Sequence, residues 1–313
     1  MMRLDGDARA PEHLRGGVVA LGNFDGFHLG HQAVVGRAIE RARSDGRPAI
    51  VATFDPHPAR LFHPEAPPFL LSTIDQRLRW FAAAGADAAY VIPFDTSVAR
   101  EEPEQFIVDH LVERLGAAGA VTGADFTFGR ERSGDVAALA SIGKRHGLTG
   151  EAVAPIRDAG GQISSSRIRR ALTANDPREA ARLLTRPFTI EGPVDHGAEM
   201  GRKLGFPTAN LHLGDYRRPA YGVYAVRARL ADGRLIDGVA NLGIRPMFDP
   251  PIELLEAHLF DFSGDLYDQT IGVELIDFLR PEWSLPDLDA LRLQIAADCE
   301  AARSRLAAEG GAL

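Results

Sequence analysis

The residues best suited to chemistry lie near the start of the chain, in Gly22-Asn23-Phe24-Asp25-Gly26-Phe27-His28-Leu29-Gly30-His31. Two imidazoles, His28 and His31, stand three residues apart behind a glycine-rich turn. Before the turn runs the apolar stretch Gly17 to Leu21; after it, Gln32 to Arg43 carries Val35, Ile39 and Ala42 at helical spacing. The elements that must position the imidazoles are therefore a buried strand, a tight turn and a helix. That order aims backbone N–H groups and the positive end of a helix dipole at one point. Phosphate chemistry uses both features, amides holding the oxygens while histidines spread charge building on phosphorus. A glycine-rich turn alone serves tight turning in many α/β proteins. Paired histidines also suit zinc, but no third His, Cys or HExxH pattern stands close by.

Strand-like and helix-like runs alternate to about residue 184, which predicts a parallel sheet wrapped by helices. Ala49 to Phe54 reads as a strand ended by Asp55-Pro56-His57-Pro58. His57 is thereby expected in a loop at the strand's carboxyl end, the edge where ligands of open α/β sheets gather; a lone loop histidine is as often a plain surface residue. A helix over Ile74 to Ala84 and a strand over Ala88 to Ile92 follow. Pro103 then opens a helix whose Phe106, Ile107, His110, Leu111 and Leu115 share one face and read as packing. Ala124-Asp125-Phe126-Thr127-Phe128-Gly129 is either an aromatic-anchored turn or a rim presenting Asp125 to a ligand. In Ile163-Ser164-Ser165-Ser166-Arg167-Ile168-Arg169 one serine suffices to cap a helix, and the others, with the arginines, build an anion site.

Asp176-Pro177 starts a short helix through Leu184, and Arg186-Pro187 breaks it, placing a boundary between domains 1–185 and 186–313. The second domain changes to short alternating segments: Tyr221 to Leu230, Ile236 to Asn241, Leu254 to Phe260 and Thr270 to Phe278. They predict an antiparallel barrel, with a terminal helix over Asp287 to Ala307 packed on it. Alternation sets Leu255, Ala257 and Leu259 on one face of their strand and Glu256 and His258 on the other. Gly201 to Asn210 is not a Walker A loop, whose glycine and lysine spacing differs.

The 313 residues suffice for two domains with real cores, and 45% hydrophobic with 25% charged residues is ordinary globular composition. A net charge of −8 excludes a general nucleic-acid binder, which needs a basic face. The single cysteine, Cys299, forbids an internal disulfide and fits a reducing cytosol. No apolar run has membrane-spanning length, and Met1 to Arg15 lacks a signal-peptide core. The expectation is a cytoplasmic protein with neither membrane nor nucleic acid as partner; the oligomeric state, homo-oligomer included, stays open.

Gly22 to His31 closely resembles the G-N-F-D-G-V-H-L-G-H signature of bacterial bifunctional riboflavin kinase/FAD synthetases, with Phe27 where valine is usual. The resemblance extends over nearly the whole chain and implies a Rossmann-like nucleotidyltransferase domain of the H-x-G-H superfamily, followed by a riboflavin kinase β-barrel with a terminal helix. It implies that His28 and His31 are catalytic, that Gly22, Asn23, Phe24, Asp25 and Gly30 bind ATP, and that Ser164, Ser165 and Arg169, matching I-S-S-x-x-I-R, hold its phosphates. T-F-x-P-H-P and G-x-D/N-F-x-F-G place His57 and Asp125 near the flavin. Gly201 to Asn210 is similar to the kinase motif G-x-x-L-G-F-P-T-A-N, which implies that Gly201 and Lys203 contact ATP and that Thr208 and Asn210 give oxygen ligands to Mg²⁺. Glu256 is then the base for the riboflavin 5′-hydroxyl. Riboflavin, FMN and ATP are the implied small-molecule partners, with FMN the intermediate and FAD the product.

The chain departs from the family pattern at Met247 for Thr, Asp268-Gln269 for Gly-Lys, and Trp283-Ser284 for Lys-Phe. A flavin-binding regulator that has lost turnover, or a single-activity FMN adenylyltransferase with an impaired kinase domain, is the alternative. H-L-G-H also resembles the ATP motif of class I aminoacyl-tRNA synthetases, but a K-M-S-K-S-like stretch and a basic RNA surface are missing.

Overall fold

A computed structural model describes residues 1–196, 201, 205–245, 251–284 and 286–310. Lys203 and Met247 lie outside the described residues. The chain divides into two compact units, residues 1–67 with 72–164, and residues 68–71 with 165–313.

In the first unit, β1 (Met2–Asp5), β2 (Val18–Leu21), β3 (Ala49–Asp55), β4 (Ala88–Pro93), β5 (Gly119–Gly123) and β6 (Thr149–Val153) form one parallel sheet. Their order is β1-β4-β3-β2-β5-β6. Both faces are covered, which is why the central strands read as unbroken apolar runs rather than alternating ones. All four residues of β2 are buried. On one face, α1 (Leu29–Ser44) sets Val35, Ala38 and Ile39 against Val18, Ala20 and Val51, with Phe81 of α3 (Ile74–Ala84) beside them. On the other, Leu21, Ile50 and Ile92 pack with Phe106, Ile107 and Leu111. Each such large side chain contributes roughly 1.5–3 kcal/mol on full burial. The α/β class predicted from the sequence is thus the class observed. Strand order reverses at β2, which has β3 on one side and β5 on the other. The loop leaving β2 therefore emerges at the switch point of the sheet, where the connections diverge and a crevice opens.

Three features differ from the sequence reading. β1 adds an edge strand, although only Leu4 of its four residues is buried, so it carries no apolar pattern. His57 lies in the loop after β3 as expected, but it also caps a helix that the sequence reading did not place, the five-residue α2 (Pro58–Phe62), which Pro58 can begin because the first helical N–H needs no partner. The helix from Pro103 stays α-helical only to Phe106 as α4 and continues as a π-helix over Ile107–Arg114. Within it His110 is more than packing. Fully buried, it bonds Tyr90 Oη at 3.0 Å, Glu101 Oε2 at 3.1 Å and Arg114 Nη1 at 3.1 Å. α5 (Val136–Arg145) precedes β6. A two-stranded hairpin, β7 (Arg157–Asp158) with β8 (Gly161–Gln162), follows it.

The second unit begins with α6 (Ser165–Thr173) and α7 (Pro177–Leu184). These helices precede the sequence boundary at residue 186. They pack with the second unit through one apolar side of α7, where Ala180, Leu183 and Leu184 are buried. Then β9 (Phe188–Pro193), β10 (Ala209–His212), β11 (Gly222–Arg229), β12 (Leu235–Arg245), β13 (Ile252–Leu259) and β14 (Thr270–Arg280) form an antiparallel sheet in the order β10-β13-β12-β11-β14-β9. An antiparallel bridge between Asp195, just past β9, and Asn210 of β10 joins the two ends into a nearly closed barrel, the predicted architecture. Closure removes the unpaired edges that an open sheet would expose. The C-terminal helix, Leu288–Gly310, lays Cys299, Ala302 and Leu306 against Val223, Ala225, Val239 and Ile276 on the outer face of the sheet.

Candidate active sites

The turn after β2 is held by unusual backbone and by buried polar groups. Phe24 and Phe27 adopt φ of 52° and 40°, and Gly26 lies between them at φ 80°. The two phenyl rings keep the aromatic residues in that left-handed region by packing edge-on against Phe81, with centroids 5.7 and 5.2 Å away. A Cβ on Gly22 would stand 3.0 Å from the Phe24 ring, so the strand's last step needs glycine. Asp25 is buried and accepts from the Ser72 amide at 3.0 Å and Ser72 Oγ at 3.2 Å, while Gly26 N donates to that same hydroxyl at 2.8 Å.

Sequence reading missed the group that locks this turn to the neighbouring strand. Arg77, on α3, is 1% exposed. Its Nη1 donates to Asn23 O at 2.9 Å, Thr53 Oγ1 at 3.0 Å and Phe54 O at 3.1 Å, and Asp55 Oδ1 lies 3.6 Å from Nη2. Burial pulls its pKa below the ordinary arginine value, against the attraction of Asp25 and Asp55. The only available hint is the helical spacing of Arg77 with Phe81 on a buried face, and a cation there reads as the polar side of an amphipathic helix.

His28 occupies the N-cap of α1. Its Nδ1 accepts from Gly30 N at 3.1 Å and His31 N at 3.4 Å. A ring nitrogen that accepts carries no proton, so the neutral ring bears its proton on Nε2. The cap fixes the tautomer and leaves Nε2–H as the donor. His31 stacks on His28 with centroids 3.7 Å apart and planes at 20°, so both imidazoles sit together at the first turn of α1. Gly30 permits this approach: a Cβ there would stand 3.1 Å from the His28 ring and 3.4 Å from Ile163 O. Ile163 precedes Ser164, which the structure thus brings close to the same helix start. Ser165 and Arg169 are on α6 of the second unit, where Arg169 Nε donates to Phe69 O at 2.7 Å and its guanidinium lies 5.5 Å from the Phe69 ring centre.

His57 and Asp125 stand beyond the carboxyl ends of β3 and β5. His57 Nδ1 accepts from Ala59 N at 3.1 Å, and Asp125 Oδ2 accepts from Gln162 Nε2 at 3.2 Å. Between these ends runs an aromatic row that the sequence reading did not assemble. Phe94 meets Phe54 at 5.6 Å, Phe54 meets Phe106 at 6.2 Å, Phe106 meets Phe128 at 5.6 Å, and Phe128 stacks with Phe126 at 6.0 Å. Five phenylalanines, two from β3 and α4 and three from the segments after β4 and β5, are recognisable as one row only once the strands are aligned.

In the barrel, register aligns three polar residues across adjacent strands: Asn210 pairs with Glu256, and Glu256 with Asn241. Thr208 Oγ1 lies 3.4 Å from Asn210 Oδ1. His258, two residues from Glu256 on the same face, uses Nδ1–H to hold Pro207 O at 2.8 Å and so ties the Gly201–Asn210 motif to β13. Gly201 accepts from Phe206 N at 2.8 Å, and a Cβ on it would collide with Phe206 O at 2.4 Å. Glu256 Oε2 accepts from both Nε, at 2.9 Å, and Nη2 of Arg245. Arg245 also donates to Glu282 at 3.3 Å. Burial pulls Arg245 down, but its bonds to Glu256 and Glu282 outweigh that and hold it above the usual arginine value. An open cleft beside Thr208 is lined by Pro207, Ala257, Asp265 and Tyr267 among others.

Comparison with known proteins gives these two constellations a common setting. Residues 10–167 match the FAD synthetase family model and residues 184–306 the riboflavin kinase family model. The bifunctional riboflavin kinase/FMN adenylyltransferase of Haemophilus influenzae is 37% identical over 304 residues, 97% of this chain and 99% of that protein. The same-named protein of Pseudomonas fluorescens is 41% identical, covering 94% of each. A crystal structure described as a macrolide-efflux protein from Streptococcus pneumoniae matches with a TM-score of 0.85 at 30% identity, covering 97% of this chain and 99% of that one. No helix among the described residues of the present chain is long and apolar enough to cross a membrane. With both family models matched in order and relatives aligned almost end to end, the chain belongs to the bifunctional riboflavin kinase/FMN adenylyltransferase family.

Proposed function

We propose that the chain makes FAD in two ATP-dependent steps, phosphorylating riboflavin to FMN in residues 186–313 and adenylylating FMN in residues 1–185. The observation that carries this reading is the stacked His28–His31 pair at a helix start on the sheet's switch point, in one chain with the Asn210–Glu256–Asn241 row of a barrel.

In the adenylylation, an FMN phosphate oxygen bonds to the α-phosphorus of ATP and the bond from that phosphorus to the bridging oxygen of pyrophosphate breaks. No strong base is needed, because the nucleophile is already anionic. The difficulty is bringing two anions together, and the N–H-rich start of α1 with the donor Nε2 of His28 relieves it. His31 adds a second imidazole against the same phosphorus, and Asn23, held by Arg77, sets the height of the turn. Ser164, Ser165 and Arg169 take the departing phosphates, and Gly22, Phe24, Asp25 and Gly30 shape the ATP site. Phe94 and Phe126, the half-buried ends of a row whose middle members are core, offer π-faces to an isoalloxazine ring between His57 and Asp125.

In the phosphorylation, Glu256 takes the proton of the riboflavin 5′-hydroxyl as its oxygen bonds to the γ-phosphorus and ADP leaves. Thr208 and Asn210 present neighbouring hard oxygens, and Asn210 is buried, a donor set that fits Mg²⁺ brought with ATP. When bound there the ion would neutralise phosphate charge. Gly201 and Lys203 complete the nucleotide contacts. The protein works in the cytoplasm without nucleic-acid or membrane partners, a reading supported by its acidic balance.

Incubation with riboflavin, Mg²⁺ and ATP, with chromatography of the flavins and a pyrophosphate assay, tests the proposal. FMN followed by FAD is the expected sequence of products. FAD from FMN alone would leave a single-activity adenylyltransferase, and no conversion would leave a flavin-binding regulator.

A further inference from the structure

Asn241 carries a buried acceptor that no group among the described residues satisfies. Its Nδ2 donates to Glu282 Oε1 at 3.0 Å. An ionised carboxylate only accepts, so this bond fixes which end of the amide is nitrogen. The other end, Oδ1, is buried and has no hydrogen-bond partner among the described residues. An unsatisfied buried acceptor is destabilising, which points to a donor supplied from outside the chain.

The surroundings say what kind of donor. Asn241 is the direct cross-strand partner of Glu256, so their Cβ atoms lie on one face about 4.5–5.5 Å apart. Glu256 is held through Oε2 by Arg245, while its Oε1 has no partner among the described residues. Arg245 and Asn241 both bond Glu282 Oε1. One carboxylate thus braces Asn241 directly and Glu256 through Arg245, and it enters through a gap at Gly243, where a Cβ would stand 2.1 Å from Glu282 Oε1. The result is two acceptors side by side, Glu256 Oε1 and Asn241 Oδ1, of which only the first can take a proton. A substrate that meets both carries two hydroxyls on one short chain.

We propose that Asn241 Oδ1 accepts a hydrogen bond from a second hydroxyl of the polyol chain whose terminal hydroxyl Glu256 deprotonates, and so determines specificity for the sugar-alcohol portion of the flavin. This rests on the kinase reading given above. Glu282 and Arg245 are positioning residues that keep both acceptors in register.

The test is phosphorylation by the full chain of riboflavin and its 2′-, 3′- and 4′-deoxy analogues. Wild-type protein should discriminate against one of the three by roughly 10- to 100-fold in kcat/KM, the effect of leaving a buried acceptor unpaired. Asn241→Ala and Asn241→Ser should lose that preference to within about threefold while FMN adenylylation continues. Equal losses on riboflavin and every analogue would assign Asn241 a bracing role and overturn the proposal, as would a preference unchanged in both variants. Glu256→Gln separates the underlying reading: it should fail on all four substrates alike. Wild-type turnover by Glu256→Gln would mean that the kinase site itself is misplaced.

Discussion

His28 makes two separable contributions, and one pair of substitutions can divide them. Asparagine places Oδ1 on Cγ where histidine has Nδ1, so His28→Asn keeps an acceptor for Gly30 N and His31 N but removes the Nε2 donor. His28→Ala removes both. The cap is worth about 1 kcal/mol, within a usual range of roughly 0.5–2. The stack on His31 adds roughly 0.5–1.5 kcal/mol and is lost in both variants. The alanine variant should therefore unfold in urea about 1 kcal/mol more readily than the asparagine variant. Catalysis should not follow that order. Losing a donor aimed at a charged transition state costs ~10²–10³ in rate, about 2.7–4 kcal/mol. Pyrophosphate release from FMN and ATP should fall by that factor in both variants alike, with riboflavin phosphorylation unchanged. If His28→Asn adenylylated FMN at the wild-type rate, His28 would be only a helix cap and the tautomer argument would be refuted.

Other expectations follow from the same geometry. His31→Ala should accumulate FMN from riboflavin and make little FAD, whereas Glu256→Gln should make FAD from supplied FMN but scarcely phosphorylate riboflavin, a loss of ~10²–10⁴; either variant stopping both reactions while still folded would sink the two-site division. Arg169→Ala should weaken FAD formation and spare the kinase, measured by the same flavin chromatography. Arg77→Met removes the side-chain donor from Phe54 O and one of the two from Asn23 O, which keeps Thr53 Oγ1, and should destabilise the protein by about 1–3 kcal/mol in urea unfolding, with Arg77→Lys recovering part of it. Glu253 is raised by burial but lowered more by bonds from Arg218 and Tyr221, for a net depression. A depressed carboxyl stabilises the fold above its unfolded pKa of about 4.3, and that stability drains away as pH falls through the folded value. Arg218→Met should flatten the acid-side slope of Tm, and an unchanged slope would remove Glu253 from the account.

Where local chemistry alone decides a feature, the sequence was sufficient. The strand, glycine turn and helix around His28 follow from apolar runs and turn residues, and β-alternation put Glu256 on the face opposite Leu255 before any register was known. Long-range features were not legible. Arg77 looks like the wet side of a helix because sequence cannot show that Asn23, Thr53 and Asp55 surround it. His110 has an apolar address and three polar partners drawn from β4, its own helix and the loop before it. Five-residue spacing in the π-helix also breaks the period on which the reading relied. Asn241 ends a segment whose strand character is legible in the sequence, yet its meaning comes from Glu282, forty-one residues away and admitted by Gly243.

The C-terminal helix gives the protein an internal clock for its own opening. Its Cys299 is the chain's single thiol, lies against the barrel, and is pushed by burial up to about 11, with Asp298 adding to the effect. Near pH 8 only about one thiol in a thousand is thiolate, and it faces Val239 and Ile276 rather than solvent. Alkylation must therefore wait for the helix to lift, whereupon the thiol returns toward its ordinary acidity. The labelling rate of one atom would then count excursions of a single element from the barrel, separately from any unfolding of the parallel sheet.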